Sequence, residues 1–453
     1  MSLQQKKRAE QSRYSGDQTL LVKDANIWAE NRFTKGSILI VNRRIKRTAR
    51  RIDDANVQTI DASGLYALPG LIDAHVHLRD MKLSYKEDFT TGTAAAAAGG
   101  FTTVLDMPNS VPPTDSPERL IERQRKAAHK IHVNVGFHAA ATSDRETIAG
   151  LAHAGAFSLK LYMPKPIARF DIGNNSEIRE MMMGCKHARI PVTVHAEDLG
   201  DSTESPRVNS FEQLAMGRPS ILETRAVERI AGIRKTTGAR LHFCHLTLAS
   251  SLRTIRESSP RITSEATPHH LLLSSGSLRR LGWRAWMVPP LRSEVERRRL
   301  LIATRTGSCD IVASDHAPHT IQEKKREPED SSPGVPGLET TLPLMLTLVN
   351  KGILEISRLI KLLAENPARI FSLKSKAKIK PGYDGDVVLV DMSKENRVQS
   401  TRFLSKAKYS PFDGFRTKGA VVSTIVGGTL VYDRGEVIGQ PGCGSVLRSS
   451  FSD

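Results

Sequence analysis

Two histidines at a spacing of two, His75 and His77 in PGLIDAHVHLRD (Pro69–Asp80), are the first residues whose types and spacing could do chemistry. They lie in an apolar run from Leu68 to Leu78, and in a strand residues i and i+2 share a face, so the two imidazoles would stand side by side. Neutral imidazole is the commonest protein ligand for zinc-like ions. A buried histidine pair with ordinary hydrogen bonds would leave the same local pattern. Further along come Lys160 in GAFSLKLYM, His195 in VTVHAED, His245 in CHLT and Asp315 in SDHAPHT. Each alone reads as well as a satisfied core residue. Lys160 shares a strand face with Ser158 and Tyr162, opposite the apolar Phe157, Leu159, Leu161 and Met163, which turns it inward, where an unpaired or unmodified lysine is costly.

The elements that must position these residues alternate. Strand candidates follow the first histidine pair at 102–108, 132–140, 157–163, 191–198, 240–247, 261–270 and 309–319. Helical stretches lie between them, among them Phe89–Ala98, Pro117–His129, Glu177–Ala188, Leu222–Thr236 and Ser293–Thr304. Eight strands with intervening helices predict a (β/α)8 TIM barrel, whose chemistry sits at the C-terminal strand ends. His75, His77, Lys160, His195, His245 and Asp315 fall there, which points to one shared site. Both chain ends read instead as short strands, so a small β-rich domain is expected from 17–66 plus 376–453, with the barrel over 67–375 and a flexible basic tail over 1–16.

The chain has 453 residues, 39% hydrophobic and 25% charged, the balance of a soluble globular protein. No apolar run is long enough for a bilayer and the polar start lacks the core of a secretory signal, so a cytoplasmic location is expected and no membrane contact. Cys185, Cys244, Cys309 and Cys443 are scattered without a CxxC pair, which argues for reduced thiols rather than disulfides or a thiolate zinc site. The formal charge is +18, but the basic residues are dispersed and lack aromatic interleaving. That argues against nucleic acid and suits small anionic substrates.

The pattern His-x-His, internal lysine, His, His and Asp on a predicted barrel resembles the amidohydrolase superfamily. PGLIDAHVHLRD, EDFTTGTAAAAAGGFTTVLDMPN (87–109), GAFSLKLYM, VTVHAED, CHLT, ATPHH, SDHAPHT and PGLETTLPL (336–344) resemble, within it, the long-chain, allantoinase-like dihydroorotases, over nearly the whole chain. The resemblance implies two Zn2+ ions. His75, His77 and Asp315 would hold one, His195 and His245 the other, and Lys160, carboxylated on its amine, would bridge them. A carbamate is an anionic oxygen ligand where an ammonium would repel a cation. It further implies that Asp315 is the general base and acid, and that His77, Arg79, Asn109, His319 and the backbone near Pro333 and Gly334 contact the substrate.

The implied reaction is the reversible cyclisation of N-carbamoyl-L-aspartate to L-dihydroorotate in pyrimidine synthesis. Arg79, two residues past His77 on the same strand face, would offer its bidentate fork to the ring carboxylate. Allantoinase or dihydropyrimidinase activity is the alternative, and a metal-free scaffold of the same fold a more distant one; the full ligand set argues against the latter. The charged, Pro/Gly-rich segment Thr320–Gly337 reads equally as a mobile lid or a disordered spacer. Val288, where many relatives carry asparagine, takes no assigned role. A homodimer and an aspartate transcarbamoylase partner are left open.

Overall fold

The computed structural model describes residues 19–52, 57–200 and 208–449. The basic tail expected over 1–16 lies outside the described residues.

Eight parallel strands form the barrel: β1 (Leu71–Val76), β2 (Phe101–Asp106), β3 (Asn134–Phe137), β4 (Leu159–Tyr162), β5 (Val192–His195), β6 (Leu241–Phe243), β7 (Ile262–Ala266) and β8 (Ile311–Val312). The pairings β1–β2–β3 and β4 through β8 are parallel and in sequence order. A short piece, Ala139–Ala140, carries β3 past His138 onto β4. The ring closes where the His77 N–H donates to the His316 carbonyl at 2.8 Å and the Ser314 N–H donates to the Asp73 carboxylate at 3.1 Å. Burial pushes the Asp73 carboxyl up to about 7.

The strands are short because the functional ends leave extended geometry early. The run read over 261–270 stops at Ala266, and Pro268–Leu272 is a helical turn capped by Thr267, whose hydroxyl accepts from the His270 N–H. The run read over 309–319 keeps ladder geometry only at Ile311–Val312. The helices follow local signals more closely. Phe89–Ala98 starts at a capping box between Asp88 and Thr91, and Pro117–Ala128 has a Ser116 cap with proline in its first turn. The alanine-rich Phe89–Ala98 is buried nearly all round, and Thr424 of the β-rich domain donates to its Ala97 carbonyl at 2.7 Å.

Both chain ends build one further sheet. Thr19–Ala29, Arg32–Val41, Arg44–Ala49 and Gln58–Asp61 join Val387–Arg397, Arg416–Val426, Thr429–Asp433 and Glu436–Val437 through the central Tyr66–Pro69. That strand runs parallel to Thr19–Ala29 and antiparallel to Val387–Arg397, then passes through Gly70 straight into β1. A Cβ at Gly70 would lie 2.2 Å from the Thr102 hydroxyl, so only glycine lets sheet and barrel meet this closely. The first barrel strand, and with it His75 and His77, is thereby anchored to the second sheet.

Candidate active site

All eleven residues singled out from the sequence line one cavity of about 340 Å3 at the C-terminal strand ends: His75, His77, Arg79, Asn109, Lys160, His195, His245, Asp315, His319, Pro333 and Gly334. His75 Nε2 and His77 Nε2 lie 3.3 and 3.2 Å from the same oxygen, Asp315 Oδ1. Their other ring nitrogens are held from behind. His75 Nδ1 donates to Glu265 Oε1 at 2.8 Å, and His77 Nδ1 donates to Asn109 Oδ1 at 2.7 Å. Protonation on the outer nitrogen leaves the inner lone pair facing the cavity, the arrangement that orients metal-ligating imidazoles.

Across the cavity, His195 Nδ1 and His245 Nε2 converge to 3.0 Å. His195 Nε2 donates to Glu197 Oε2 at 2.8 Å, and Arg218 holds that carboxylate at 2.9 Å. Lys160, 3% exposed, donates to Cys244 Sγ at 2.9 Å and has no carboxylate partner among the described residues. The His75 and His77 nitrogens and an Asp315 oxygen lie close enough together to fit one zinc-like divalent cation.

The electrostatics reflect the same demand for positive charge. Burial and the Lys160 ammonium oppose a proton on His75, yet the Glu265 and Asp315 carboxylates outweigh them and push it up to about 10. Asp315 falls well below the carboxylate range despite its burial, because His75, His77 and His245 surround it. His77, by contrast, is lowered to about 4, chiefly by burial.

Three residues of the cavity wall leave the ordinary backbone regions. Arg79, His245 and Asp315 take φ values of 57°, 34° and 45°, in the left-handed region that side chains other than glycine rarely adopt. The strand-face argument for Arg79 is therefore corrected: β1 ends at Val76, and a left-handed turn rather than strand alternation aims the guanidinium into the cavity. Arg79 is 8% exposed, donates from Nε to the Pro318 carbonyl at 3.4 Å, and forms no ion pair among the described residues. Asn109 gives its oxygen to His77, which leaves its NH2 for a ligand.

The Thr320–Gly337 segment has an ordered path. It carries the helix Ile321–Lys324, and the buried Lys324 ammonium donates to the carbonyls of Trp286, Ser332 and Gly334 at 2.7, 3.0 and 2.9 Å. A disordered spacer does not describe it. Sequence reasoning missed Glu265 and Glu197, which hold His75 and His195 from behind, and Cys244, which accepts from the Lys160 ammonium. Glu197, two residues after His195 in HAED, carried a local signal, whereas Glu265 meets His75 across 190 positions and carried none. Tyr162 and Val288 also line the cavity.

Comparison with known proteins identifies the family. Residues 66–431 match the model of the Amidohydrolase family. The chain is similar to a dihydroorotase of Methanothermobacter thermautotrophicus, with 39% identity over 87% of this chain and 90% of that protein. It is similar also to a dihydroorotase of Bacillus cytotoxicus, with 34% identity over 88% and 94%. Among solved structures, an L-hydantoinase (dihydropyrimidinase) from Arthrobacter aurescens matches with a TM-score of 0.90 and 28% identity, over 95% of this chain and 99% of that one. Fold and sequence agree, and the chain belongs to the amidohydrolase family.

Proposed function

We propose that the chain is a dihydroorotase, a metal-dependent cyclic amide hydrolase that interconverts L-dihydroorotate plus water with N-carbamoyl-L-aspartate, in pyrimidine synthesis. The observation that carries the reading is Arg79: a buried guanidinium on the cavity wall without an acidic partner among the described residues is suited to a ligand carboxylate. His319 and the free amide of Asn109 stand on the same cavity as further donors, and the backbone at Pro333 and Gly334 would border the ring.

The barrel unit over 67–375 would carry the chemistry and the β-rich unit from 17–66 plus 376–453 would brace it. His75, His77 and Asp315 would hold one Zn2+ and His195 and His245 a second, with Lys160 carboxylated between them. In that modification the neutral amine attacks carbon dioxide, an N–C bond forms and an amine proton leaves to solvent, so a repelling ammonium becomes an anionic ligand. The bound cations would supply Lewis acidity to acidify water and polarise the ring amide carbonyl. Asp315 takes the proton of the attacking water as general base and returns it to the departing ring nitrogen as general acid. Run in reverse, the same residue serves ring closure.

The L-hydantoinase likeness supports a second reading, hydrolysis of a cyclic amide that lacks a ring carboxylate. Rates on L-dihydroorotate, hydantoin and dihydrouracil separate the two. Hydrolysis of L-dihydroorotate alone is expected, and turnover of the other two in its place would establish the second reading. None of the helices among the described residues is long and apolar enough to cross a membrane. The reading places the enzyme in the cytoplasm, and a homodimer or a docked aspartate transcarbamoylase would show in its native mass.

A further inference from the structure

Lys86 touches the cavity residue His319 but, among the described contacts, none of the metal-ligand candidates. Its ammonium donates to His319 Nδ1 at 3.2 Å and to Glu323 Oε1 at 2.8 Å. Glu323 is itself fixed, because its other oxygen accepts from both the N–H and the hydroxyl of Thr320 at 3.1 Å. An ammonium has only donors, which favours an unprotonated His319 Nδ1; Arg79 asks the same of Nε2 at 3.2 Å, and the Pro333 carbonyl beside Nε2 decides between them. The proton then sits on Nε2, which donates to the Pro333 carbonyl at 3.0 Å.

That choice has a consequence for Arg79, whose Nη2 lies 3.2 Å from His319 Nε2. With Nε2 protonated and its one N–H given to the Pro333 carbonyl, His319 cannot accept from Arg79, whose Nη2 is left for a carboxylate. With the proton on Nδ1 instead, Nε2 would accept from Arg79. The pair would then close on itself, and that Arg79 donor would be lost to an incoming anion.

We propose that Lys86 is a positioning residue that fixes His319 as the Nε2–H tautomer and so keeps the Arg79 guanidinium from closing on His319 and available for the substrate carboxylate. The inference rests on the dihydroorotase reading, and the wild-type enzyme tests that reading first: turnover of L-dihydroorotate must be present before Lys86 is judged. In Lys86→Met, KM for L-dihydroorotate should rise about tenfold or more while kcat changes little, since one charge-assisted donor is lost from ground state and transition state alike. Lys86→Arg, which keeps a cationic donor, should recover most of the loss.

A merely structural role would not move the tautomer. Nitrogen spectra of 15N-histidine-labelled protein, with the His319 signals assigned through His319→Gln, should show protonated Nε2 in the wild type and protonated Nδ1 in Lys86→Met. An unchanged KM, or an Nε2–H signature that persists in Lys86→Met, would overturn the proposal.

Discussion

Replacing Glu265 by glutamine tests whether the cavity histidines are oriented for a cation. The Glu265 carboxylate is 1% exposed and serves three groups at once: Oε1 accepts from His75 Nδ1 at 2.8 Å and from the His245 N–H at 3.1 Å, and Oε2 faces His242 Nε2 at 3.3 Å. The surrounding histidines hold its proton affinity below the ordinary glutamate range even though burial works the other way. Glutamine keeps the shape but has one acceptor oxygen and no charge, and its NH2 must face a donor. Losing a carboxylate behind a ligating histidine typically weakens metal binding by about 10–100-fold, or roughly 1.4–2.7 kcal/mol. The assay is retention of zinc against graded concentrations of a chelator, read by elemental analysis and by activity on L-dihydroorotate. Glu265→Ala should fare worse, because three buried donors lose their partner at about 1–3 kcal/mol each, a large share of a domain's stability. Zinc retention in Glu265→Gln equal to that of the wild type would refute the claim that Glu265 orients His75 for a cation.

Other perturbations give distinct signatures. Asp315→Asn should lower kcat by at least about 100-fold, the worth of a general acid–base group, while zinc stays bound; full turnover in that variant would remove Asp315 from the proton transfer. Arg79→Met should raise KM for L-dihydroorotate by about 10–100-fold at unchanged metal content, the cost of a lost charge-assisted contact, and an unchanged KM would refute the carboxylate assignment. Glu339 supplies a pH test away from the chemistry. Burial pushes its carboxyl up to about 7 from 4.5, while it accepts from the N–H groups of Leu404 and Ser405. A carboxyl that binds its proton more tightly folded than unfolded stabilises fully below pH 4.5 and loses that contribution as the pH rises through 7. Between pH 4.5 and 8 the wild type should therefore lose roughly 3 kcal/mol relative to Glu339→Gln, measured by urea unfolding, and parallel pH profiles would contradict it.

The parts of the site legible in the sequence were those carried by local pattern. Strand periodicity placed His75 and His77 together and turned Lys160 inward, and the strand-helix alternation indicated a barrel whose C-terminal strand ends would gather the remaining ligands. Helix starts were legible where a cap announced them, as at Asp88 and Ser116. Partnerships between distant strands were not legible. Glu265 sits in an ordinary strand sequence, and only barrel closure brings it to His75. Nor could periodicity foresee the left-handed turns at Arg79, His245 and Asp315, where tertiary constraints override the local preference for extended backbone. The ordered path of Thr320–Gly337 was hidden for a related reason. Its composition is that of a loose loop, and a single buried lysine, Lys324, ties it to three carbonyls.

The most direct test of the central claim is a zinc titration of the metal-stripped enzyme, following hydrolysis of L-dihydroorotate by its absorbance. The account predicts no activity without metal and a rise that saturates near two zinc ions per chain. Full hydrolysis by the stripped enzyme, or saturation with zinc without any hydrolysis of L-dihydroorotate, would contradict it.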